Sequence, residues 1–186
     1  MNTIQCDKTE QYNCTIQKKS YFYPQYQILE NEQKAIFLIR KNALILQNCT
    51  DTVTINENQV LFLQQGSYTI KTQGAEPSDI IYIPISDDFL RNFMSKHNDI
   101  LCQIERDEEF SRAFICFQNS PLIQFCSNGF EYLTAQSCPE TFTQLRIEEL
   151  LVLLLSTEQG SDLMALFRQL SHRQVDRLKI LWKKII

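Results

Sequence analysis

Residues 60–85 read VLFLQQGSYTIKTQGAEPSDIIYIPI, and this stretch decides the fold. It contains three short runs rich in β-branched and aromatic residues, at 60–63, 68–72 and 80–85. Gly66-Ser67 and the segment 74–78 separate these runs, and both have the composition of turns. Short apolar runs separated by turn residues are typical of antiparallel strands. The stretch therefore predicts a sheet whose neighbouring strands are joined by tight turns.

The residues before this stretch extend the same pattern. The runs 35–40 and 43–47 flank Lys41-Asn42 and predict a hairpin, and residues 52–55 predict another strand. Four aromatic residues predict a further strand or a cover for one: Tyr21, Phe22, Tyr23 and Tyr26. A small barrel or jelly roll lets this many short strands bury their apolar faces with few free edges. We therefore expect one of these two architectures.

After Pro84 the period of the apolar residues changes to that of helices. Ser86 or Asp87 can cap a first helix that continues to Ile104. Ser120-Pro121 predicts the start of a second helix, because Ser supplies the cap and Pro fits the first turn. Its apolar residues are Leu122, Ile123, Phe125, Cys126, Phe130 and Leu133. Further helices are predicted from Pro139 to Ser156, from Ser161-Asp162 to Leu170, and after Ser171. A sheet followed by helices makes the predicted fold class α+β.

Charge is unevenly distributed along the 186 residues, whose formal net charge is −4. From Arg168 to the end there are six basic residues and one acid, Asp176, so this tail carries +5 and the preceding residues carry −9. The main body should therefore repel nucleic acid, and only the tail could approach DNA. The basic residues beyond position 170 are Arg173, Arg177, Lys179, Lys183 and Lys184. With no apolar run near the roughly 20 residues of a membrane span and no signal-peptide pattern, we expect a cytoplasmic protein.

Candidate catalytic and metal-binding residues are few. Both histidines, His97 and His172, lie in predicted helices, which excludes a metal enzyme whose barrel gathers several imidazoles and carboxylates. The seven cysteines form no CxxC pair and are typical of small apolar core residues. His97, Asp99 and Cys102 are the one sequence-local set for nucleophilic catalysis, and an amphipathic helix explains them more simply. We therefore expect no enzyme activity and no cofactor.

The helix predicted from Pro139 to Ser156 has apolar residues on two opposite sides. One apolar stripe is enough to pack this helix on the sheet or on a neighbouring helix. It consists of Ile147, Leu150, Leu151 and Leu154. The other side carries the residues that we predict to form a homodimer surface: Leu145, Arg146, Glu149, Val152 and Leu153. The alternative is a central helix buried on all sides, which would bury charged residues at a cost unless they are paired.

A barrel can also enclose a small ligand. An apolar acid held in this barrel could have its carboxylate met by Lys34, Arg40 or Lys71. Nothing in the sequence directs these side chains inward, so we prefer a barrel filled by its own Phe, Leu and Ile side chains.

Several segments, read in order, resemble one family. They are VLFLQQGSY at 60–68, IYIPI at 81–85, LRIEELL at 145–151 and LFRQLSHR at 166–173. In order and spacing they resemble the ExsA/LcrF type of AraC-family activators, which switch on type III secretion genes in Gram-negative bacteria. The resemblance extends from about Tyr21 to Trp182 and is more specific than any single motif.

The resemblance implies a cupin-like barrel at residues 1–85, a helical dimerisation and regulatory part at 86–170, and the start of a DNA-binding domain at 171–186. Both recognition helices of that domain are missing, so promoter DNA would be bound only through the missing half. The resemblance also implies control by a protein antiactivator of the ExsD type, which blocks self-association. Other AraC members bind sugars or fatty acids in the barrel, so a ligand-sensing barrel is the alternative function.

Overall fold

The computed structural model describes residues 16–22, 26–101, 111–135 and 138–170. Two antiparallel sheets and five helices make up this part of the chain, which confirms the α+β class. The five-stranded sheet contains, in spatial order, β1 (Gln17–Tyr21), β8 (Ser78–Ile85), β3 (Lys34–Lys41), β6 (Val60–Leu63) and β9 (Phe114–Phe117). The four-stranded sheet contains β2 (Gln27–Asn31), β7 (Gly66–Thr72), β4 (Leu44–Gln47) and β5 (Thr52–Ile55). The helices are α1 (Asp87–Lys96), α2 (Asn98–Leu101), α3 (Pro121–Ala135), α4 (Glu140–Leu155) and α5 (Gly160–Leu170).

The chain passes repeatedly from one sheet to the other. From β1 to β4 each strand lies in the sheet opposite to its predecessor, and β6, β7 and β8 alternate again. Among the described strands, β4 and β5 are the consecutive pair that forms a hairpin. Such crossing between two packed sheets is the architecture of a jelly roll.

The prediction of a hairpin around Lys41-Asn42 is wrong. β3 pairs with β6 and β8, whereas β4 pairs with β5 and β7 in the other sheet. Asn42 has a φ of 57°, and its side-chain amide donates to the Pro77 carbonyl over 2.7 Å. Because its backbone is in the left-handed region, Asn42 turns the chain from one sheet to the other. A short polar pair such as Lys41-Asn42 is compatible with this turn as well as with a hairpin.

Two apolar cores explain the continuous apolar runs in β3, β6 and β8. Ala35, Phe37 and Ile39 of β3 lie in the core between the two sheets. Ile36 and Leu38 of the same strand lie in the core between the five-stranded sheet and the helices. Strand residues alternate between faces, so a strand buried on both faces is a continuous apolar run.

Residues after position 85 are not all helical, contrary to expectation. Strand β9 follows α2 and pairs with β6 at the edge of the five-stranded sheet. The first helix is also shorter than expected: Ser86 caps it by accepting from the Phe89 amide, and it ends at the C-cap His97. Residues 102–110, which include its expected end, lie outside the described residues.

Gly160 separates α4 from α5, as its position between two apolar runs suggests. A Cβ at residue 160 would overlap the backbone carbonyl of Leu155, so the close approach of the two chain segments requires glycine. The two helices meet at an angle of 118°. In the described part of the chain no single helix is long and apolar enough to cross a membrane, and α4 with α5 meets that test only as a bent pair, by length and composition.

Candidate functional site

Helix α4 has one fully buried face and one face toward solvent. Ile147, Leu150, Leu151 and Leu154 are buried in the core beneath the helices, as the period predicts. On the opposite side Leu145 is 52% exposed and Glu149 is also exposed. α4 is therefore not buried on all sides. Val152 and Leu153 are partly buried against the same core, so they contribute less free surface than their sequence positions suggest.

Helix α3 packs beside α4 and carries an apolar stripe that faces away from the core. Leu122, Phe125 and Tyr132 are 66%, 73% and 72% exposed. Leu122 and Phe125 are among the apolar residues that the sequence assigns to this helix, and Tyr132 is an addition that the structure makes. Positions 122, 125 and 132 lie on one side of an ideal helix, so the sequence contains the stripe but does not show that this side is the exposed one. The buried residues lie on the adjoining side: Ile123, Cys126, Phe130 and Leu133.

We name these two exposed helix surfaces together the α3–α4 face. It comprises Leu122, Phe125 and Tyr132 of α3 with Phe142, Leu145, Arg146 and Glu149 of α4. Five of the eight exposed large apolar residues in the described part of the chain belong to this face. A concentration of exposed apolar residues on two packed helices is typical of an interaction surface.

A charged pair joins the two helices within the α3–α4 face. Arg146 forms an ion pair with Glu149 one turn later, and its Nη2 donates to the Cys126 carbonyl of α3 over 3.4 Å. A Cβ at residue 129 would overlap Arg146 Nη2, so Gly129 provides the space for the guanidinium on α3. Arg146 therefore lies across the helix pair in a defined position.

The thiol of Cys126 lies beneath this pair. Burial raises the pKa of Cys126 to about 11, and the Glu149 carboxylate adds to the increase. At neutral pH the group is therefore a protonated thiol, which packs in the core and is a poor nucleophile.

The three cations considered as ligands for a carboxylate do not meet in the structure. Lys34 Nζ contacts Asp87 Oδ1 at 2.5 Å, and Arg40 donates to Glu131 and Asn128 of α3 at 2.9 Å and 2.8 Å. Lys71 Nζ lies 5.3 Å from the centre of the Tyr26 ring. The space between the sheets is instead occupied by buried apolar and tyrosine side chains, such as Phe37, Leu61 and Tyr82.

The surroundings of His97 are those of a packed helix end. Its ring packs on Phe93 with centroids 4.7 Å apart, and its Nε2 lies 3.6 Å from Glu148 Oε2. Cys102, the nucleophile considered beside it, lies outside the described residues. Across the described ranges, no group of three or more His, Cys, Asp or Glu side chains could hold a metal ion. The basic residues Arg173, Arg177, Lys179, Lys183 and Lys184 also lie outside the described residues.

Comparison with known sequences gives a consistent set of relatives. The profile of the ExsA N-terminal regulatory domain matches residues 34–166. The HTH-type transcriptional regulator ExsA of Pseudomonas aeruginosa is 32% identical over 161 residues, which are 87% of this chain and 58% of that protein. The virulence regulon transcriptional activator VirF of Yersinia enterocolitica is 31% identical, and the thermoregulatory protein LcrF of Yersinia pestis is 30% identical. Each of these two matches covers 87% of this chain and 60% of the relative, so the chain spans about three fifths of these proteins.

Solved structures share the fold at much lower sequence identity. ToxT of Vibrio cholerae superposes with a TM-score of 0.55 at 14% identity, over 79% of this chain and 57% of that one. A second ToxT structure, bound to (E)-4-(8-methylnaphthalen-1-yl)but-3-enoic acid, gives a TM-score of 0.51 at 16% identity, over 79% and 58% of the two chains. This similarity confirms the cupin-like architecture of two sheets followed by helices.

Proposed function

The chain belongs to the family of ExsA N-terminal regulatory domains, and from this premise we propose that it is the regulatory and dimerisation part of an AraC-type activator of type III secretion genes. Its relatives are transcriptional regulators, not enzymes. The single observation that supports the dimerisation role is the α3–α4 face, which carries exposed apolar residues of two packed helices together with the Arg146–Glu149 ion pair. Promoter DNA would be bound through a carboxy-terminal domain, with the basic residues beyond position 170 nearest to it.

Native mass spectrometry of the purified chain tests this function. We expect a ligand-free species at twice the chain mass of 21.9 kDa, because two copies of the α3–α4 face can cover each other in an isologous contact. Spectra that show only the ligand-free monomer at every concentration would contradict the dimerisation role. A dilution series in the same instrument gives the dissociation constant that later variants are compared with.

Control by a protein antiactivator is the second part of the proposal. Its support is the membership of the ExsA family and the exposed apolar residues of the α3–α4 face, for which two partners could compete. We expect the antiactivator encoded in the same genome, when purified and added to the dimer, to give a complex that contains a single copy of this chain. Light scattering after gel filtration measures the mass. A complex that retains two copies of this chain would contradict the competition.

A ligand-sensing barrel is the other candidate function. The observation in its favour is that ToxT, which shares the fold, binds an organic acid with an apolar ring system. In this chain the space between the sheets is filled by side chains, and Lys34 and Arg40 are already paired with acidic residues on the helices. The native mass spectrum distinguishes the two functions, since a retained ligand would add a few hundred daltons to each copy.

A further inference from the structure

We infer that Arg146 and Glu149 exchange partners between two copies of the chain, so that the homodimer is joined by two reciprocal ion pairs between antiparallel α4 helices. This inference rests on the proposed dimerisation role and specifies its geometry. Within one chain the two residues already form an ion pair at the solvent side of α4. Their side chains are 22% and 43% exposed, so both are partly accessible to a second molecule.

The arrangement of these charges is self-complementary. Arg146 and Glu149 lie three positions apart, about one turn of the helix. A twofold axis that crosses α4 midway between them brings Arg146 of one copy opposite Glu149 of the second copy, and the reverse contact forms at the same time. The same axis places Phe142 opposite Leu153 of the second copy, so apolar residues flank the charges.

The charges also select the direction of the partner helix. If two α4 helices packed in parallel about an axis along their length, Arg146 would face Arg146 of the second copy and Glu149 would face Glu149. Like charges at a partly dehydrated contact are strongly unfavourable. The antiparallel arrangement replaces both repulsions by attractions, while Arg146 keeps its hydrogen bond to the Cys126 carbonyl of α3.

A partner other than a second copy is less compatible with this surface. The face offers one positive and one negative group about one turn apart, and it is neutral at its centre. A strongly basic or strongly acidic partner would attract one of the two groups and repel the other. A second copy satisfies both at once, which is the charge complementarity that favours self-association.

Complementary charge reversals test the exchange. Arg146→Glu and Glu149→Arg are prepared as separate proteins, each of which would place like charges opposite each other in its own homodimer. We expect each variant alone to have a dissociation constant raised by at least about tenfold over the parent chain. When the two are mixed, every contact across the twofold axis again joins opposite charges. The glutamate introduced at position 146 of one chain meets the arginine introduced at position 149 of the other, and the unchanged Glu149 meets the unchanged Arg146.

We therefore expect the mixture to form a heterodimer of near-parental affinity. The two variants differ in mass, so native mass spectrometry counts both homodimers and the heterodimer. The ion pair within the chain is broken in both variants, and recovery on mixing therefore requires a contact between chains.

The outcomes separate this inference from the dimerisation role itself. If the parent dimerises and the mixture remains monomeric, the exchange is wrong and the dimerisation role stands. If each variant alone dimerises as the parent does, the exchange is also wrong. If the parent itself is monomeric, both proposals fail.

A second measurement does not depend on the charge-reversed variants folding. The exchanged pairs should make self-association of the parent chain weaken as NaCl is raised, because salt screens partly exposed charges. The double variant Arg146→Gln with Glu149→Gln removes both charges with little change in shape. We expect its dissociation constant to lose most of this salt dependence. An unchanged salt dependence would contradict the exchange.

Discussion

Replacing Phe125 and Leu145 by Asp in the same chain should raise the dissociation constant for self-association by about 100-fold or more and leave a folded monomer. Phe125 is 73% exposed on α3 and Leu145 is 52% exposed on α4, so neither side chain supports the core. In a dimer that covers the α3–α4 face, each Asp would be dehydrated without a partner charge, which is costly. Sedimentation velocity over a concentration series measures the change.

Ile28→Asp is the matched control for this double variant. Ile28 is 77% exposed on β2, in the four-stranded sheet, so the substitution makes the same change from apolar to charged at a site outside the α3–α4 face. We expect it to dimerise as the parent does. If the double variant also dimerises with parental affinity, the dimer uses another surface. Leu153→Asp is a less specific test, because Leu153 packs partly on the core and a charge there would also reduce stability.

The proposed dimer surface illustrates which part of the site the sequence predicts and which part it does not. The two faces of α4 follow from helical periodicity, since Ile147, Leu150 and Leu154 recur on one side of the helix. Periodicity alone does not identify the exposed stripe of α3, because Leu122 and Phe125 alternate with buried residues along a helix that is apolar on both sides. Which side is buried depends on the position of α4 and the sheet, and that is a tertiary property.

Long-range partners account for the other differences. Arg40 pairs with Glu131, 91 residues later, and Lys34 pairs with Asp87, 53 residues later. No local pattern in the sequence predicts such pairs. From the sequence alone, Lys34 and Arg40 therefore remain candidates for contacting a ligand. The same holds for β9, whose four residues form a strand because β6 offers a free edge. The apolar runs themselves are predictable, whereas their division between two sheets depends on pairing across the whole chain.

Phe167→Ala should reduce the free energy of unfolding by about 3–5 kcal/mol, because it removes a buried aromatic ring and leaves a cavity. Phe167 of α5 is fully buried. Its ring makes edge contacts with Phe62 of β6 and Phe93 of α1, at centroid distances of 6.4 Å and 6.0 Å. One side chain therefore links the sheet to two helices, so the loss should affect the unit as a whole. Urea unfolding followed by far-UV circular dichroism measures it.

The measurement is best made in the Phe125→Asp, Leu145→Asp background, because dissociation of a dimer would otherwise add a concentration-dependent term to the apparent stability. Phe22→Ala is the matched control: the same ring is removed from a residue that is 56% exposed, and we expect a change of about 0.5 kcal/mol or less. If Phe167→Ala costs no more than this control, α5 does not pack on the sheet and α1 as described. A loss in the expected range, with a single transition, would mean that the five-stranded sheet and its helices fold as one unit. Such a unit would hold α3 and α4 in a fixed relation to the five-stranded sheet.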